Sequence, residues 1–316
     1  MDERFLDFLD WAPRAEKPRT RGLQYVGELG QPLSWVREQL DAFGAYVDHV
    51  KVAIGQFPTP ARVLEQKVRL YRDYQLDVSI DDPTFTMAYL QGKAEQFLRA
   101  VRDVGFTHVQ IQTHEYLDQG MPSSPEQAAA DEARLCALAL DLGLKLEGEV
   151  GQKYEQGDLA RAGGEALDVA AIVAEMRRQL ALGCDKVFLE SAVIRLAVGD
   201  MGEKEAGTAQ VRQIVEAVGL EHVVLEINGH FLPLDVAQAL RFWAVRTFGP
   251  DVNMGGSEPL DFVPIIESIR RGIMFVKGPS KASSRLWVKS LARGHGRAAA
   301  QWWQEPYPIH AALVRR

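Results

Sequence analysis

KLEGEV (145–150), VAAIVAEMRRQLALG (169–183) and KVFLES (186–191) follow one another along the chain and read as strand, helix and strand. The outer two are short runs of strand length. The middle one is a longer amphipathic stretch that closes on Gly183, where a helix exit needs a left-handed residue. Two strands joined through a helix lie parallel, with a right-handed crossover.

The same unit recurs on both sides. Further strands are expected at GLQYVGEL (22–29), YVDHVKVAI (46–54), LDVSI (76–80), HVQIQT (108–113), VVLEI (223–227) and VNMGG (252–256). Amphipathic helices lie between them, at PARVLEQKVRLYRDY (60–74), KAEQFLRAVRDVG (93–105), EARLCALALDLG (132–143) and AQVRQIVEAVG (209–219). Eight strands alternating with helices predict an α/β fold, a (β/α)8 barrel of the TIM type. The rival is a doubly wound open sheet. Its nucleotide-binding form is weakened because no GxGxxG or GxxxxGK[ST] follows any strand.

The length of 316 residues suits one such barrel with appendages. The division expected is an N-terminal extension (1–21), the barrel (22–273) and a C-terminal extension (274–316). The first carries an amphipathic FLDFLDW turn, expected to pack against the barrel bottom. The last carries eight cations against the single acid Glu305. Lys277, Lys281, Arg285, Lys289, Arg293 and Arg297 recur every fourth residue, which aligns cations on a helix over about 281–293. That helix reads as a solvated or subunit-facing element, or as a polyanion contact. Trp302, Trp303 and Tyr307 suggest docking on protein surface, and hence a homo-oligomer.

A net charge of -7 argues against a nucleic-acid binder. Cys136 and Cys184 form no CxxC and no disulfide framework, and both are expected to pack in apolar helical stretches. The acidic start lacks a signal-peptide pattern, and no run reaches 18 apolar residues, so a cytoplasmic, membrane-free protein is expected.

In a βα barrel the loops after the strands build the site. Strand 2 delivers Lys51, strand 3 Asp81 and Asp82, strand 4 His114 and strand 5 Glu147, Glu149 and then Lys153. Strand 6 ends at Glu190, and strand 7 at Glu226 with Asn228 and His230 beyond. A charge in an apolar strand is costly unless paired or ligating an ion. Glutamates at the ends of strands 5, 6 and 7 therefore predict a pocket that holds a hard divalent cation, with lysines for an anionic substrate. A buried ion-pair network is the alternative. No HExxH or Ser–His–Asp pattern is present, which disfavours zinc hydrolysis and acyl-enzyme chemistry.

KPRTRGLQYV (17–26), AYVDHVKVAIG (45–55), EVGQK (149–153), LGCDKVFLE (182–190), VVLE (223–226), GPDVNMGG (249–256) and ESIRRGI (267–273) resemble, in order and spacing, the phosphosulfolactate synthase family. The most specific pieces are EVGQK, against EVGKK in the family, and DHVKVAIG, against a DFVKFGWGT-like pattern. The resemblance implies a βα-barrel lyase that adds sulfite to phosphoenolpyruvate with Mg²⁺, on the way to coenzyme M. It implies Lys153 as general acid, and Glu149, Glu190 and Glu226 as Mg²⁺-binding or carboxylate-pairing acids. Lys51 becomes a partner for the substrate's carboxylate or phosphate. Asp81 and Asp82 join the metal candidates, and His114, Arg195, Asn228 and His230 the substrate candidates.

The rim departs from the family. DDPTFT (81–86) replaces GGTLFE, QTHE (112–115) an SDGS-like run, and ESAVIR (190–195) an ERESG-like run that leaves Arg195 out of register. EINGH (226–230) replaces EAPQK, and RGIMFVKGPS (271–280) replaces RGLRGDT. Two added acids disfavour phosphate and sulfite. Three readings follow: a synthase-type lyase, a non-catalytic protective relative like the plant heat-stress-associated members, or a barrel enzyme for another small anionic or sugar substrate.

Overall fold

Eight strands pair in sequence order, parallel throughout, and the eighth returns to the first. They are β1 (Gln24–Glu28), β2 (His49–Val52), β3 (Asp77–Ile80), β4 (His108–Gln110), β5 (Lys145–Val150), β6 (Cys184–Leu189), β7 (Val223–Leu225) and β8 (Met254–Gly255). The closed (β/α)8 barrel is as predicted, and closure rules out the open doubly wound sheet. This computed structural model describes residues 8, 14–53, 59–114, 122–151, 167–228 and 232–271, plus the backbone of two strands farther on.

The helices are α1 (Leu33–Phe43), α2 (Ala61–Asp73), α3 (Asp82–Leu90), α4 (Ala94–Val104), α5 (Pro125–Asp141), α6 (Val169–Ala181), α7 (Ser191–Val198), α8 (Glu205–Val218), α9 (Leu234–Phe248) and α10 (Val263–Arg270). Side chains alternate along each strand. Outward residues such as Val50, Val52, Val78, Ile80 and Val109 meet helix residues Leu40, Leu64, Val68 and Leu98 in one apolar layer. Val187, Leu189 and Leu225 do the same with Ile214, Leu240 and Ile266 on the other half.

The inward face is different. Among the described residues its apolar cluster is Tyr25, Phe188 and Val224, with Leu23 packed against them. His49, Lys51, Ser79, His108, Gln110 and Glu147 are buried polar residues of β2 to β5. The barrel is thus packed apolar on the side of β1, β6 and β7, and polar on the side of β2 to β5. Branched apolar residues usually fill this space.

Buried charge pairs fasten the rest. Lys67 Nζ on α2 lies 2.7 Å from Glu28 Oε1 on β1, both nearly inaccessible. Arg241 on α9 pairs with Glu258. Arg270 donates to the carbonyls of Pro250, Val252 and Leu23, stitching the approach to β8 onto the approach to β1. At the N-terminal end Arg14 reaches Glu267 and Asp48, and Arg19 reaches Asp48, so the entering chain lies against the barrel bottom. Of the FLDFLDW turn only Phe8 is described, and it is exposed.

Two expectations need correction. Ser284–Val288 is a strand, pairing antiparallel with Ile273–Lys277, where a helix over 281–293 was expected. SRLWV and IMFVK are short runs with β-branched and aromatic residues, a strand signal that competes with the cation spacing. Cys184 opens β6 rather than lying in a helix, whereas Cys136 is in α5. Both thiols are free, and burial raises both, Cys136 to about 12. No helix among the described residues is long and apolar enough to cross a membrane.

Candidate active site

Glu149, Glu190 and Glu226 meet at the C-terminal mouth of the barrel, with one carboxylate oxygen from each inside a group spanning at most 4.8 Å. Three neighbouring strands deliver them. Glu149 is the last inward residue of β5, Glu190 follows β6, and Glu226 follows β7. Glu190 stands at the N-terminus of α7 without capping it through its side chain. Glu190 and Glu226 are buried, and Glu149 is half-buried at the rim.

Gly151 explains part of the EVGQK motif. Its φ of +122° suits glycine, and a Cβ there would fall 2.6 Å from Val193 Cγ2 and 2.8 Å from Glu190 Cβ. The chain leaving β5 therefore runs directly over Glu190. Gly256 is similarly close to Glu226, where a Cβ would fall 2.7 Å from Oε1.

Lys51 lies deeper, buried on β2, and donates to Gln110 Oε1 at 3.2 Å. Its ammonium also lies 4.6 Å from the centre of the Phe188 ring. The amide nitrogen of Gln110 donates to Glu149 Oε2, so Lys51, Gln110 and Glu149 form a continuous chain from cation to carboxylate. Among the described residues Lys51 is a cation that reaches this group of three carboxylates, through Gln110. All three side chains offer hard oxygen donors, the set that Mg²⁺ takes.

The other candidates have different surroundings. The side chain of Asp81 accepts from the amide and hydroxyl of Thr84 and caps α3, with Pro83 in the first turn. Burial raises its carboxyl above the usual range, partly offset by Thr84. Asp82 is buried in the first turn of the same helix. Neither is grouped with the three glutamates. His114 lies 3.4 Å from Glu132, which Arg178 also grips at 2.6 and 3.1 Å, so it faces the α5–α6 layer outside the barrel. Arg195 Nε is 2.7 Å from Asp200, at the end of α7. Asn228 is fully buried two residues beyond Glu226. Lys153 and His230 lie outside the described residues.

Gln110, the bridge between Lys51 and Glu149, is a polar residue at the end of strand 4 to which the sequence reading assigns no role. It faces inward from β4, as His108 does, and is level with Glu147 on β5. His49 and His108 were passed over too, although both are polar residues on the inward face of short strands.

The family model for (2R)-phospho-3-sulfolactate synthase (ComA) matches residues 12–275, most of the chain and the whole closed barrel. The chain belongs to the phosphosulfolactate synthase family. That is a family of lyase-type enzymes, so the barrel is an enzyme's scaffold. The phosphosulfolactate synthase of Methanothermobacter thermautotrophicus is 24% identical over 269 residues, 84% of this chain and 95% of that protein. The phosphosulfolactate synthase of Methanocaldococcus jannaschii is 25% identical over 256 residues, 80% and 92% respectively. The synthase resemblance read from EVGQK and its companion segments is therefore shown for the family as a whole.

Proposed function

We propose that this family member adds sulfite to phosphoenolpyruvate at the mouth formed by Glu149, Glu190 and Glu226, in the presence of Mg²⁺. The observation that carries the proposal is the convergence of those three carboxylates with Lys51, through Gln110, at the end of the barrel where such enzymes work.

The family product, phospho-3-sulfolactate, fixes the bonds. Sulfite sulfur bonds to C3 of phosphoenolpyruvate, the C2–C3 π pair moves onto C2 and its carboxylate, and a proton is added at C2. Glu149, Glu190 and Glu226 would hold Mg²⁺, which, when bound, supplies positive charge beside the substrate's oxygens. Lys51, fixed by Gln110 and Phe188, places its ammonium group below the mouth, where it opposes the negative charge that develops on the substrate. Lys153, two residues past Gly151 in the EVGQK motif, is assigned the proton for C2.

The acids that replace glycine after strand 3 weigh less against phosphate than their charge suggests. The Asp81 carboxylate is engaged by Thr84 as a helix cap. The test is direct: incubate the purified chain with phosphoenolpyruvate, sulfite and Mg²⁺, and follow phosphosulfolactate by mass spectrometry beside Lys153→Ala. Product that requires Lys153 is expected. Folded protein that makes none would overturn the proposal.

A further inference from the structure

Beneath the mouth, inside the lower half of the barrel, stands a second set of ligand-type side chains. His49 from β2, His108 from β4 and Glu147 from β5 each place one donor atom within 4.8 Å of the others. All three are buried, Glu147 to 1%. His49 Nε2 lies 3.5 Å from Glu147 Oε1 and 2.8 Å from Ser79 Oγ on the intervening strand. His108 Nδ1 lies 2.7 Å from Thr107 Oγ1, which fixes the ring's orientation. Tyr25 stacks on His49 at 4.5 Å between ring centres, and the two imidazoles meet edge to face at 4.8 Å. From this geometry we infer that His49, His108 and Glu147 bind a transition-metal dication of the zinc type, at a site separate from the glutamates of the mouth.

Donor type, ring orientation, charge and access all support the site. Two imidazoles and one carboxylate are a donor set on which Zn²⁺ is commonly held, whereas Mg²⁺ prefers oxygen alone. Ligating histidines are ordinarily oriented by a hydrogen bond from elsewhere in the protein, and Thr107 supplies one for His108. A dication would also compensate Glu147, a carboxylate enclosed by the barrel wall. Access exists: a cavity of about 370 Å³ opens on the N-terminal face and reaches Tyr25, His49 and His108 past Lys17, Asp77 and Lys145.

The two sets are stacked along the barrel axis. Glu147 and Glu149 are alternate residues of β5, and His49 and Lys51 alternate residues of β2. The upper set offers oxygen only and the lower set nitrogen and oxygen, so metal type should separate them.

The experiment titrates the full chain, stripped with a chelator, with Co²⁺ in the presence of excess Mg²⁺. Visible d–d absorption reports four-coordinate nitrogen-containing ligation, and competition with Zn²⁺ gives affinity. One equivalent is expected in the native chain and in Glu226→Gln. Affinity should fall by roughly tenfold or more in Glu147→Gln and His108→Asn. Zn²⁺ should also shift the ring resonances of His49 and His108 in the native chain, a readout that needs no variant to fold. Absence of Co²⁺ absorption in the native chain, unmoved histidine resonances, or unchanged titrations in cooperatively melting variants would each overturn the inference.

Discussion

Glu147 and His108 stand together on the barrel floor, yet pH moves their contributions in opposite directions. Burial pushes the Glu147 carboxyl from 4.5 up to about 7 and the His108 imidazole from 6.5 down to about 4. Between pH 4.5 and 7 the folded carboxyl keeps a proton that the unfolded chain has released, so this group removes stability as pH rises. Between pH 4 and 6.5 the unfolded imidazole holds a proton that the folded one lacks, so this group adds stability as pH rises. Burial displaces His49 in the same sense as His108. The slopes oppose each other over pH 4.5–6.5. In chelator-treated protein, Glu147→Gln should therefore steepen the rise of unfolding free energy with pH in that window, by about 1.4 kcal/mol per pH unit. Denaturant unfolding at four or five pH values measures it, and a slope equal to the native chain's would refute the assignment. At the mouth, Lys51→Met should lower kcat/KM for phosphosulfolactate formation by roughly 10²–10³-fold, as removal of a preorganised electrostatic group does. An unchanged kcat/KM would place Lys51 outside the chemistry. The sequence made Lys51 and the three glutamates legible because charge in an apolar strand stands out. It could not say which way Asp81, His114 and Arg195 turn. Their partners, Thr84 on α3, Glu132 on α5 and Asp200 in the turn after α7, lie on segments whose starts and rotations only packing decides.

At the scale of the element, the exit of β5 is the critical joint. Gly151 combines a positive φ with a close approach to Glu190 and Val193, so an added methyl group strains the backbone and pushes on the carboxylate's own stem. Gly151→Ala should cost about 1–3 kcal/mol of stability. Its larger effect should be on Mg²⁺ dependence, with the Mg²⁺ concentration for half-maximal activity raised. Activity assays against Mg²⁺ and thermal melts measure the two effects. An unaltered Mg²⁺ curve would mean that Glu190 tolerates the shift or plays no part in binding. The eight strands and the helices α2, α4, α5, α6 and α8 were readable from local pattern. The Ser284–Val288 strand was not, since the regular cations favoured a helical reading, and the pairing with Ile273–Lys277 is a contact between segments that local pattern does not record.

For the whole molecule, the uneven lining of the barrel matters most. Tyr25, Phe188 and Val224 pack one side, while polar residues from β2 to β5 fill the other, so acids and cations run from floor to mouth. Alternation of strands and helices was enough to predict the closed barrel. The polar interior was only half visible, because a polar residue in a four-residue strand can face either in or out until register is known. A scaffold with an unevenly charged interior should depend on its ions for stability. Any ligand that binds only the folded chain adds RT ln(1 + [L]/Kd), about 2.7 kcal/mol at a hundred times Kd. Mg²⁺ should therefore raise the melting temperature of chelator-treated protein by several degrees at saturation. Glu226→Gln and Glu190→Gln should abolish most of that rise, because each removes a charged oxygen ligand while keeping nearly the same shape. Glu147→Gln should leave the Mg²⁺ response intact, since its carboxylate belongs to the floor. Scanning calorimetry at graded Mg²⁺ concentrations distinguishes the outcomes. A melting temperature that ignores Mg²⁺ would leave the three glutamates as a paired structural network. A response lost equally in all three variants would mean that floor and mouth act as one electrostatic unit.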